Sequence, residues 1–235
     1  MKLTVALLVG AALAATLVAA DPRPANTLAA GEAEAGWVLL FDGKSTDQFR
    51  GYRQPDFPTQ GWAVVDGTLQ RVAGPAGGDI ITREQYGDFE FVCEWRIAPG
   101  GNSGIIYRCT EDHMYPWETG PEMQILDDEA HGDGASPRTR AGSLYDLFPC
   151  AEAAVKPAGE WNEVRIIAKG PHIQQFLNGV KVVDIRLDSE EYREAHAASK
   201  WTAMPDFGKR ARGHIALQDH GDEVWFRNIR VRSLD

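Results

Sequence analysis

The sequence predicts an all-β fold in which two antiparallel sheets pack face to face. Short apolar runs separated by turn residues occupy most of the chain, with little helical periodicity. Residues 88–97 alternate between apolar and polar side chains, as a strand with one buried face does. Asp66-Gly67 and Asn178-Gly179 each stand between two such runs, which is typical of tight hairpin turns. Many short strands favour a β-sandwich over an α/β fold.

The remaining elements follow the same pattern along the chain. The predicted strands cover residues 37–41, 62–65, 68–72, 88–97, 103–109, 122–127, 161–169, 172–177, 181–185, 214–218 and 224–231. One helix is predicted over residues 189–199, where several charged residues would form a polar surface.

The first twenty residues have the features of a bacterial signal peptide. Lys2 precedes an apolar run over residues 3–13, and Val18-Ala19-Ala20 has the small residues that signal peptidase requires. The run is short for a membrane span, so no span is expected after cleavage. We therefore expect Sec-dependent export, cleavage near Ala20 and a secreted or periplasmic protein.

The rest of the chain is predicted to form a linker and one domain. Residues 21–35 are rich in Ala, Pro and Glu and predict a flexible linker. Residues 36–235 suit a single large β domain. The net charge of −10, without a basic tract, argues against nucleic acid as a partner.

The three cysteines do not have the spacing of a zinc or redox site. Cys93 shares the apolar face of its strand with Phe91 and Trp95, which predicts a buried thiol that is not bonded to Cys109. Pairing of Cys109 with Cys150 is left open.

Short motifs in a fixed order carry a family resemblance. They are Leu40-Phe41-Asp42-Gly43-Lys44, Trp62-x-Val64-x-Asp66-Gly67, Tyr86-x-Asp88-Phe89-x-Phe91, Gly101-Asn102-Ser103-Gly104-Ile105, Glu122-x-Gln124-Ile125-Leu126-Asp127, Lys156-Pro157 before Gly159-Glu160-Trp161-Asn162, Leu177-Asn178-Gly179, and Leu217-Gln218-Asp219-His220-Gly221 before Phe226-Arg227-Asn228-Ile229. Together they resemble the 3-keto-disaccharide hydrolase domain family.

The resemblance implies a concanavalin A-like jelly roll, related to the laminarinase-type glucanases. It also implies cleavage of glycosides whose glucose is oxidised at C3, with a small carbohydrate as the substrate. Such an enzyme would work downstream of a glycoside 3-dehydrogenase.

A ketone at C3 changes the chemistry that cleavage requires. The ketone acidifies the proton on C2, so a base can remove this proton and the group on C1 leaves by elimination. Water then adds back, which gives net hydrolysis. The reaction needs a base near C2, an acid near the glycosidic oxygen and donors facing the C3 oxygen.

The strand at residues 122–127 is predicted to supply the catalytic carboxyl groups. Alternation places Glu122 and Gln124 on one face and Asp127 on the other, and a β-bulge would bring all three together. Glu122 would protonate the leaving oxygen, while Asp127 or His220 would take the C2 proton. An ordinary ion pair between Glu122 and Arg108 is the structural alternative.

The segment after residue 214 supplies the predicted imidazole. If Ile215 and Leu217 face the core, Gln218 and His220 face away from it. An imidazole titrates near neutrality, so His220 suits a base or an acid, although surface histidines are common.

The remaining predicted site residues would bind the substrate. Arg108, Tyr145, Lys156, Gln124 and Gln218 are expected to contact hydroxyl groups or the C3 ketone. Trp117 lies in a predicted loop and is expected to stack on a sugar ring. The tryptophans that lie in strand patterns are expected in the core: Trp62, Trp95, Trp161 and Trp225.

No cofactor is required by these assignments, and a divalent metal is left open. The acidic run at residues 127–134 could hold Ca²⁺ but lacks the spacing of an EF-hand loop. His131 in this run is a weaker catalytic candidate.

Two other functions are compatible with the sequence. A non-catalytic carbohydrate-binding module would present a flat aromatic platform without acids. A laminarinase-like endo-glucanase is disfavoured, because Gln124 stands where such enzymes carry the middle of three acids.

Overall fold

The computed structural model describes residues 24–235, so the predicted signal peptide lies outside the described residues. In chain order the strands are β1 (Trp37–Leu39), β2 (Phe49–Gly51), β3 (Trp62–Val65), β4 (Thr68–Arg71), β5 (Ile80–Thr82), β6 (Phe89–Ile97), β7 (Asn102–Cys109), β8 (Glu122–Leu126), β9 (Asn162–Lys169), β10 (His172–Leu177), β11 (Val180–Arg186), β12 (His214–Leu217) and β13 (Val224–Ser233). The prediction of an all-β fold is confirmed.

The strands form two sheets in which every pairing is antiparallel. The larger sheet has eight strands in the order β11-β10-β9-β6-β13-β4-β3, with β1 beside the second half of β13. The smaller sheet has five strands in the order β2-β5-β12-β7-β8. These two sheets give the predicted jelly-roll sandwich.

The core lies between the two sheets and is built from alternating side chains. In β6, Phe89, Phe91, Cys93 and Trp95 are fully buried. From the smaller sheet, residues such as Ile105, Met123 and Ile125 join the same cluster. Each large apolar side chain that is fully buried stabilises the fold by roughly 1.5–3 kcal/mol.

Two of the four tryptophans assigned to the core lie elsewhere. Trp62 and Trp95 are buried in the core as expected. Trp161 and Trp225 are half-buried, and the guanidinium of Arg96 lies 5.1 Å and 4.5 Å from their ring centroids. The prediction is wrong for this pair, because a polar outer face covered by arginines also accepts aromatic side chains.

The described part of the predicted linker, residues 24–35, makes specific contacts with the rest of the domain, in contrast to the flexible segment that was expected. Asn26 is buried, and its side-chain amide donates to the carbonyl oxygen of Gly67 over 2.7 Å. The backbone N–H groups of Asn26 and Asn228 each donate to the side-chain oxygen of the other. Glu32 forms an ion pair with Arg230 at 3.3 Å. These contacts fasten the segment to the larger sheet.

The predicted helix is present as α1 (Glu190–Ala197). Its N-cap is Ser189, whose hydroxyl accepts a hydrogen bond from the backbone N–H of Tyr192. A 3₁₀ turn at Lys200–Ala203 follows, and Trp201 in this turn is buried. Among the described residues, no helix is long and apolar enough to cross a membrane.

All three cysteines are free and buried, which confirms the prediction for Cys93. Burial raises the pKa of the Cys150 thiol and, more strongly, those of Cys93 and Cys109. These thiols are therefore poor nucleophiles while the protein is folded.

We expect the folded protein to react slowly with a thiol reagent, because all three thiols are buried and protonated. After unfolding in denaturant without reductant, three thiols per chain should react. A colorimetric thiol titration measures both numbers. A single reactive thiol in the unfolded chain would mean that two cysteines form a disulfide.

Candidate active site

A cavity of about 520 Å³ opens on the face of the smaller sheet that points away from the core. Its size lies within the roughly 300–1,000 Å³ range that is common for small-molecule sites. The lining residues are Asn102, Trp117, Glu122, Gln124, Tyr145, Lys200, Trp201, Ala203, Met204, Gln218 and His220. Strands β7, β8 and β12 with their connections therefore form the floor, and the 3₁₀ turns at Pro116–Glu118 and Lys200–Ala203 contribute walls.

Strand alternation places Glu122 and Gln124 in the cavity. Met123 and Ile125 between and after them belong to the core, so the two polar side chains point to the opposite face. Gly104 lies opposite Gln124 in the neighbouring strand β7. A Cβ atom at Gly104 would lie 2.0 Å from Glu122 Oε1. The carboxyl group thus occupies space that only a glycine leaves free.

The environment of Glu122 keeps its carboxyl group neutral near pH 7. Burial raises the pKa of Glu122 to about 8, and the charge of Asp79 adds to this effect. The positive charge of Lys200 opposes it and lowers the pKa. A carboxyl group that carries its proton at neutral pH is suited to act as a general acid.

Gln124 holds the carboxyl group of Glu122 in place. With its amide oriented to suit its neighbours, the Gln124 nitrogen donates to Ser103 O over 3.0 Å and to Glu122 Oε1 over 3.2 Å. Both N–H bonds of the amide are then used within the protein. Gln124 therefore has no N–H bond left for a ligand, in contrast to the expected contact with the C3 ketone.

Two further oxygen atoms beside the cavity are buried without a protein partner. They are Oδ1 of Asn102 and Oε1 of Gln218. A buried acceptor without a partner is unfavourable. Asn102 and Gln218 therefore bring to the cavity lining amide groups whose hydrogen bonds the protein leaves incomplete.

His220 lines the same cavity from the segment that follows β12. The backbone of Gln218 fixes this segment to β7: its N–H donates to Gly104 O over 3.0 Å, and its carbonyl accepts from the Ser103 hydroxyl over 2.9 Å. The imidazole of His220 is exposed at the cavity. The structure thus brings together Glu122 and His220, as the sequence predicted.

Aromatic side chains and one lysine form the wall. The Lys200 Nζ atom lies 4.4 Å from the ring centroid of Tyr145 and 4.8 Å from that of Trp201. The ring of Trp117 is tilted against Trp201 at 6.3 Å. Burial raises the pKa of Tyr145, whose hydroxyl donates to Asp133 over 3.2 Å. Trp117 and Tyr145 therefore lie where the sequence placed them.

Asp127 lies outside the cavity lining. The pairing of β7 with β8 is regular as far as Leu126, so the bulge that would have turned Asp127 inward does not form. Its carboxylate accepts hydrogen bonds from the N–H of Gly100 over 2.7 Å and of Glu129 over 3.2 Å. Asp127 thus stabilises the turn between β6 and β7, and the predicted grouping with His220 is wrong.

Arg108 is also turned away from the cavity by a β-bulge. His214 pairs with Cys109 and Ile215 with Tyr107, which leaves Arg108 as the extra residue, with φ of 53°. Its guanidinium donates to Gly87 O, Gly170 O and Asp88. Arg108 therefore joins the two sheets, and the expected ion pair with Glu122 or place in the wall is absent.

The other predicted residues have local roles. Lys156 is exposed, and its ammonium group donates to Trp161 O over 3.0 Å. His131 Nδ1 accepts from the N–H of Asp133 at the start of a 3₁₀ turn. Asp128 in the acidic run accepts from the N–H of Ala141. Among residues 24–235, no group of three or more His, Cys, Asp or Glu side chains is arranged to hold a metal ion.

Asn102 and the wall residues at 200–204 were not predicted from the sequence. Asn102 stands in the Gly101-Asn102-Ser103-Gly104 motif, so the motif contained a usable signal. Lys200 and Trp201 follow the predicted helix and carry no local pattern. Only the packing of the 3₁₀ turn against Tyr145 brings them to the cavity: Trp201 Nε1 donates to Tyr145 O over 3.2 Å.

Fold and site together define a β-sandwich protein with a cavity for a hydroxyl-rich small molecule on one sheet. The chain belongs to the 3-keto-alpha-glucoside-1,2-lyase-like domain family, whose model matches residues 36–232. The family prediction is confirmed.

Similar proteins agree with this assignment. A 3-keto-disaccharide hydrolase of Bacteroides thetaiotaomicron is 34% identical in an alignment 230 residues long. The alignment covers 85% of this chain and 79% of that protein. A crystallised candidate glycosyl hydrolase of Parabacteroides distasonis is 32% identical, with a TM-score of 0.83 over 90% of this chain and 100% of that chain. A second from the same organism is 29% identical, with a TM-score of 0.66 over 84% and 99%.

We expect Gly104→Ala to reduce catalysis more than stability. The added methyl group must displace the Glu122 carboxyl group, and a misplacement of about 1 Å can lower activity by roughly 10²-fold. Kinetics and thermal unfolding measure the two effects. Gly132→Ala is the matched control, because nothing lies within 4 Å of a Cβ atom there. Equal activity of both variants would contradict the placement of Glu122.

We expect Glu122→Gln to stabilise the protein increasingly as the pH rises. The pKa of Glu122 is raised from 4.5 to about 8, so between these values the folded chain binds more protons than the unfolded chain. Wild-type stability therefore falls with pH across this range, and the variant lacks this loss. The difference in Tm should widen from pH 4.5 to pH 8 and then level off.

The exposed Glu129→Gln is the control for this measurement, because it removes a carboxyl group of the same kind from the surface. Its difference in Tm from the wild type should show no such widening. A pH-independent difference for Glu122→Gln would mean that Glu122 ionises normally in the folded protein.

Proposed function

We propose that the protein cleaves the glycosidic bond of 3-keto-glucosides, including 3-keto-disaccharides, by elimination followed by hydration. The observation that carries this proposal is the composition of the cavity. Of the described residues that line it, one has a carboxyl group, the neutral Glu122, and one has an imidazole, His220. Family membership and the activity in the name of the Bacteroides relative support the same substrate class.

The cavity does not suit ordinary glycoside hydrolysis. Retaining and inverting glycosidases use a pair of carboxyl groups on either side of the bond to be cleaved. The lining contains Gln124 beside Glu122 and no second carboxyl group among the described residues. This arrangement favours the 3-keto reaction over the laminarinase-like alternative.

A binding module would not need the buried acid. Burial of a carboxyl group lowers the stability of the fold at every pH at which the group would be ionised in water. A surface that only binds sugar gains nothing from a buried proton that would offset this loss. The proposed enzyme uses the proton that burial retains on Glu122. The site therefore favours catalysis over simple binding.

In the first step His220 removes the proton from C2 of the substrate. The electron pair of the C2–H bond moves toward the carbonyl group, and negative charge develops on the C3 oxygen. Lys200, which lines the cavity, supplies the positive charge that stabilises this oxygen. This assignment replaces Gln124, whose N–H groups are already used.

In the second step the enolate electrons form the C1–C2 double bond as the C1–O bond breaks. Glu122 gives its proton to the departing oxygen, so the leaving group departs as a neutral alcohol. Water then adds across the double bond: its oxygen bonds to C1 while Glu122 takes a proton back from it, and protonated His220 returns a proton to C2, so the products are 3-keto-glucose and the alcohol. The sum of deprotonation, elimination and hydration is hydrolysis, which agrees with both the lyase and the hydrolase descriptions of the relatives.

The remaining lining residues bind and orient the sugar. The amide groups of Asn102 and Gln218 form hydrogen bonds with ring hydroxyl groups. Trp117, Tyr145 and Trp201 contact the apolar face of the ring, as aromatic side chains do in carbohydrate sites.

We also propose that the protein is exported and works after a glycoside 3-dehydrogenase. The signal-peptide pattern of the first twenty residues supports export. The substrate itself requires a preceding oxidation, because only an oxidised C3 carries the ketone on which the elimination depends.

We expect the purified protein to cleave a 3-keto-disaccharide and to leave the unoxidised parent disaccharide intact. Glu122→Gln and His220→Ala should each lower turnover by roughly 10²-fold or more, as loss of an acid or base does. Product analysis by chromatography and NMR gives both the rate and the identity of the product.

Asp127→Asn tests whether Asp127 only stabilises the turn between β6 and β7, as in the structure, or acts as the base predicted from the sequence. The asparagine oxygen can still accept from Gly100, so this variant should keep most of the wild-type rate. Rates near the wild type for both Glu122→Gln and His220→Ala would rule out the mechanism. Cleavage of the unoxidised disaccharide at a similar rate would rule out the substrate class.

A further inference from the structure

Asp219 lies in the sequence between two residues of the cavity, and its carboxylate forms several contacts within the protein. Its neighbours in sequence, Gln218 and His220, both line the cavity. Its carboxylate forms an ion pair with Arg71 over 2.6 Å, and both side chains are only 1% exposed. It also accepts hydrogen bonds from the backbone N–H groups of Gly77, Gly78 and Gly221, over 2.8, 3.0 and 3.0 Å. The carboxylate is therefore fully used within the protein.

Asp79 holds the same segment through the backbone. Its Oδ1 atom accepts a hydrogen bond from the N–H of Asp219 over 2.8 Å. Asp79 lies directly before β5, and β5 pairs with β12, which ends just before Gln218. Asp219 in segment 218–221 is thus fixed to residues 77–79 by hydrogen bonds of both its carboxylate and its backbone N–H, and to Arg71 by the ion pair.

Asp79 also acts on the acid of the cavity. The charge of Asp79 raises the pKa of Glu122, although Asp79 is not part of the cavity lining. Burial, with a contribution from Asp219, raises the pKa of Asp79 itself to about 6, and the hydrogen bond from Asp219 opposes this. The charge of Asp79 also raises the pKa of the Cys109 thiol, and the charge of Lys200 lowers the pKa of Glu122.

We propose that Asp79 is a positioning residue for the reaction: it orients the segment that carries Gln218 and His220, and it acts electrostatically on Glu122. The proposal rests on the proposed function for the roles of His220 and Glu122. One carboxylate outside the cavity thereby serves both the base and the acid. Above the pH at which Asp79 ionises, its charge favours the protonated form of Glu122 that the elimination needs.

Asp79→Asn separates the electrostatic role from the structural one. The asparagine oxygen can still accept from the N–H of Asp219, but the negative charge is lost. The alkaline limb of the kcat/KM profile, which reports the ionisation of Glu122, should move to lower pH. The rate at pH 9 relative to that at pH 6 should fall further than in the wild type: a drop of half a unit in the pKa of Glu122 lowers it about threefold, since each pKa unit changes the protonated fraction about tenfold.

Asp79→Ala removes the acceptor as well as the charge. We expect the same movement of the alkaline limb, together with a loss of roughly tenfold or more in kcat/KM at every pH, because Gln218 and His220 lose their orientation. Asp47→Asn is the matched control: it removes one negative charge from an exposed site and should leave the profile unchanged.

A second measurement tests the link to Glu122 without activity. In the Asp79→Asn background, the stability difference produced by Glu122→Gln should widen over a lower pH range than in the parent. If the wild type fails to cleave 3-keto substrates, the proposed function is wrong, but this measurement still decides the link. An unchanged pH range here, or an Asp79→Asn profile that superimposes on the wild type, would overturn the proposal.

Discussion

The arrangement of the site depends on the burial of one carboxyl group on the outer face of a β-sheet. Glu122 lies against Gly104 of the neighbouring strand, where a side chain would collide with its carboxyl oxygen. Gln124 donates to the same oxygen, so the other oxygen is left to carry the proton. Burial then raises the pKa of Glu122 and keeps it an acid at neutral pH. The two 3₁₀ turns contribute the walls that complete this cavity, and the large apolar core offsets what the burial of the acid costs in stability.

The buried ion pair between Arg71 and Asp219 also helps to set the geometry of the cavity. Removing two charges from water is unfavourable, and their attraction repays this only when the remaining hydrogen bonds are satisfied. Three backbone N–H groups complete the shell of the Asp219 carboxylate. The pair therefore contributes geometry more than stability: it fixes the chain at the point where Gln218 and His220 enter the cavity.

Alternation and motif order predicted the sheets and half of the cavity, because both depend on local sequence. Glu122 and Gln124 face the cavity for the reason that Met123 and Ile125 face the core. Asp127 and Arg108 were misplaced, since a bulge depends on how two strands align: none forms near Asp127, and one turns Arg108 away. The wall at residues 200–204 was missed because it reaches the site only through tertiary packing against Tyr145.

The lack of a second carboxylate in the described cavity lining fits the sign of the charge that the proposed reaction develops. Ordinary glycoside cleavage develops positive charge near C1, which carboxylates stabilise. Elimination from a 3-keto sugar develops negative charge on the C3 oxygen, which a nearby carboxylate would oppose. A cavity with a neutral acid, a neutral amide and a lysine matches this negative charge. With a ketone at C3 of the substrate, departure of the leaving group does not require a second carboxylate, and the charge of such a carboxylate would destabilise the transition state. The five-stranded sheet can therefore support the cleavage with a single acid, Glu122.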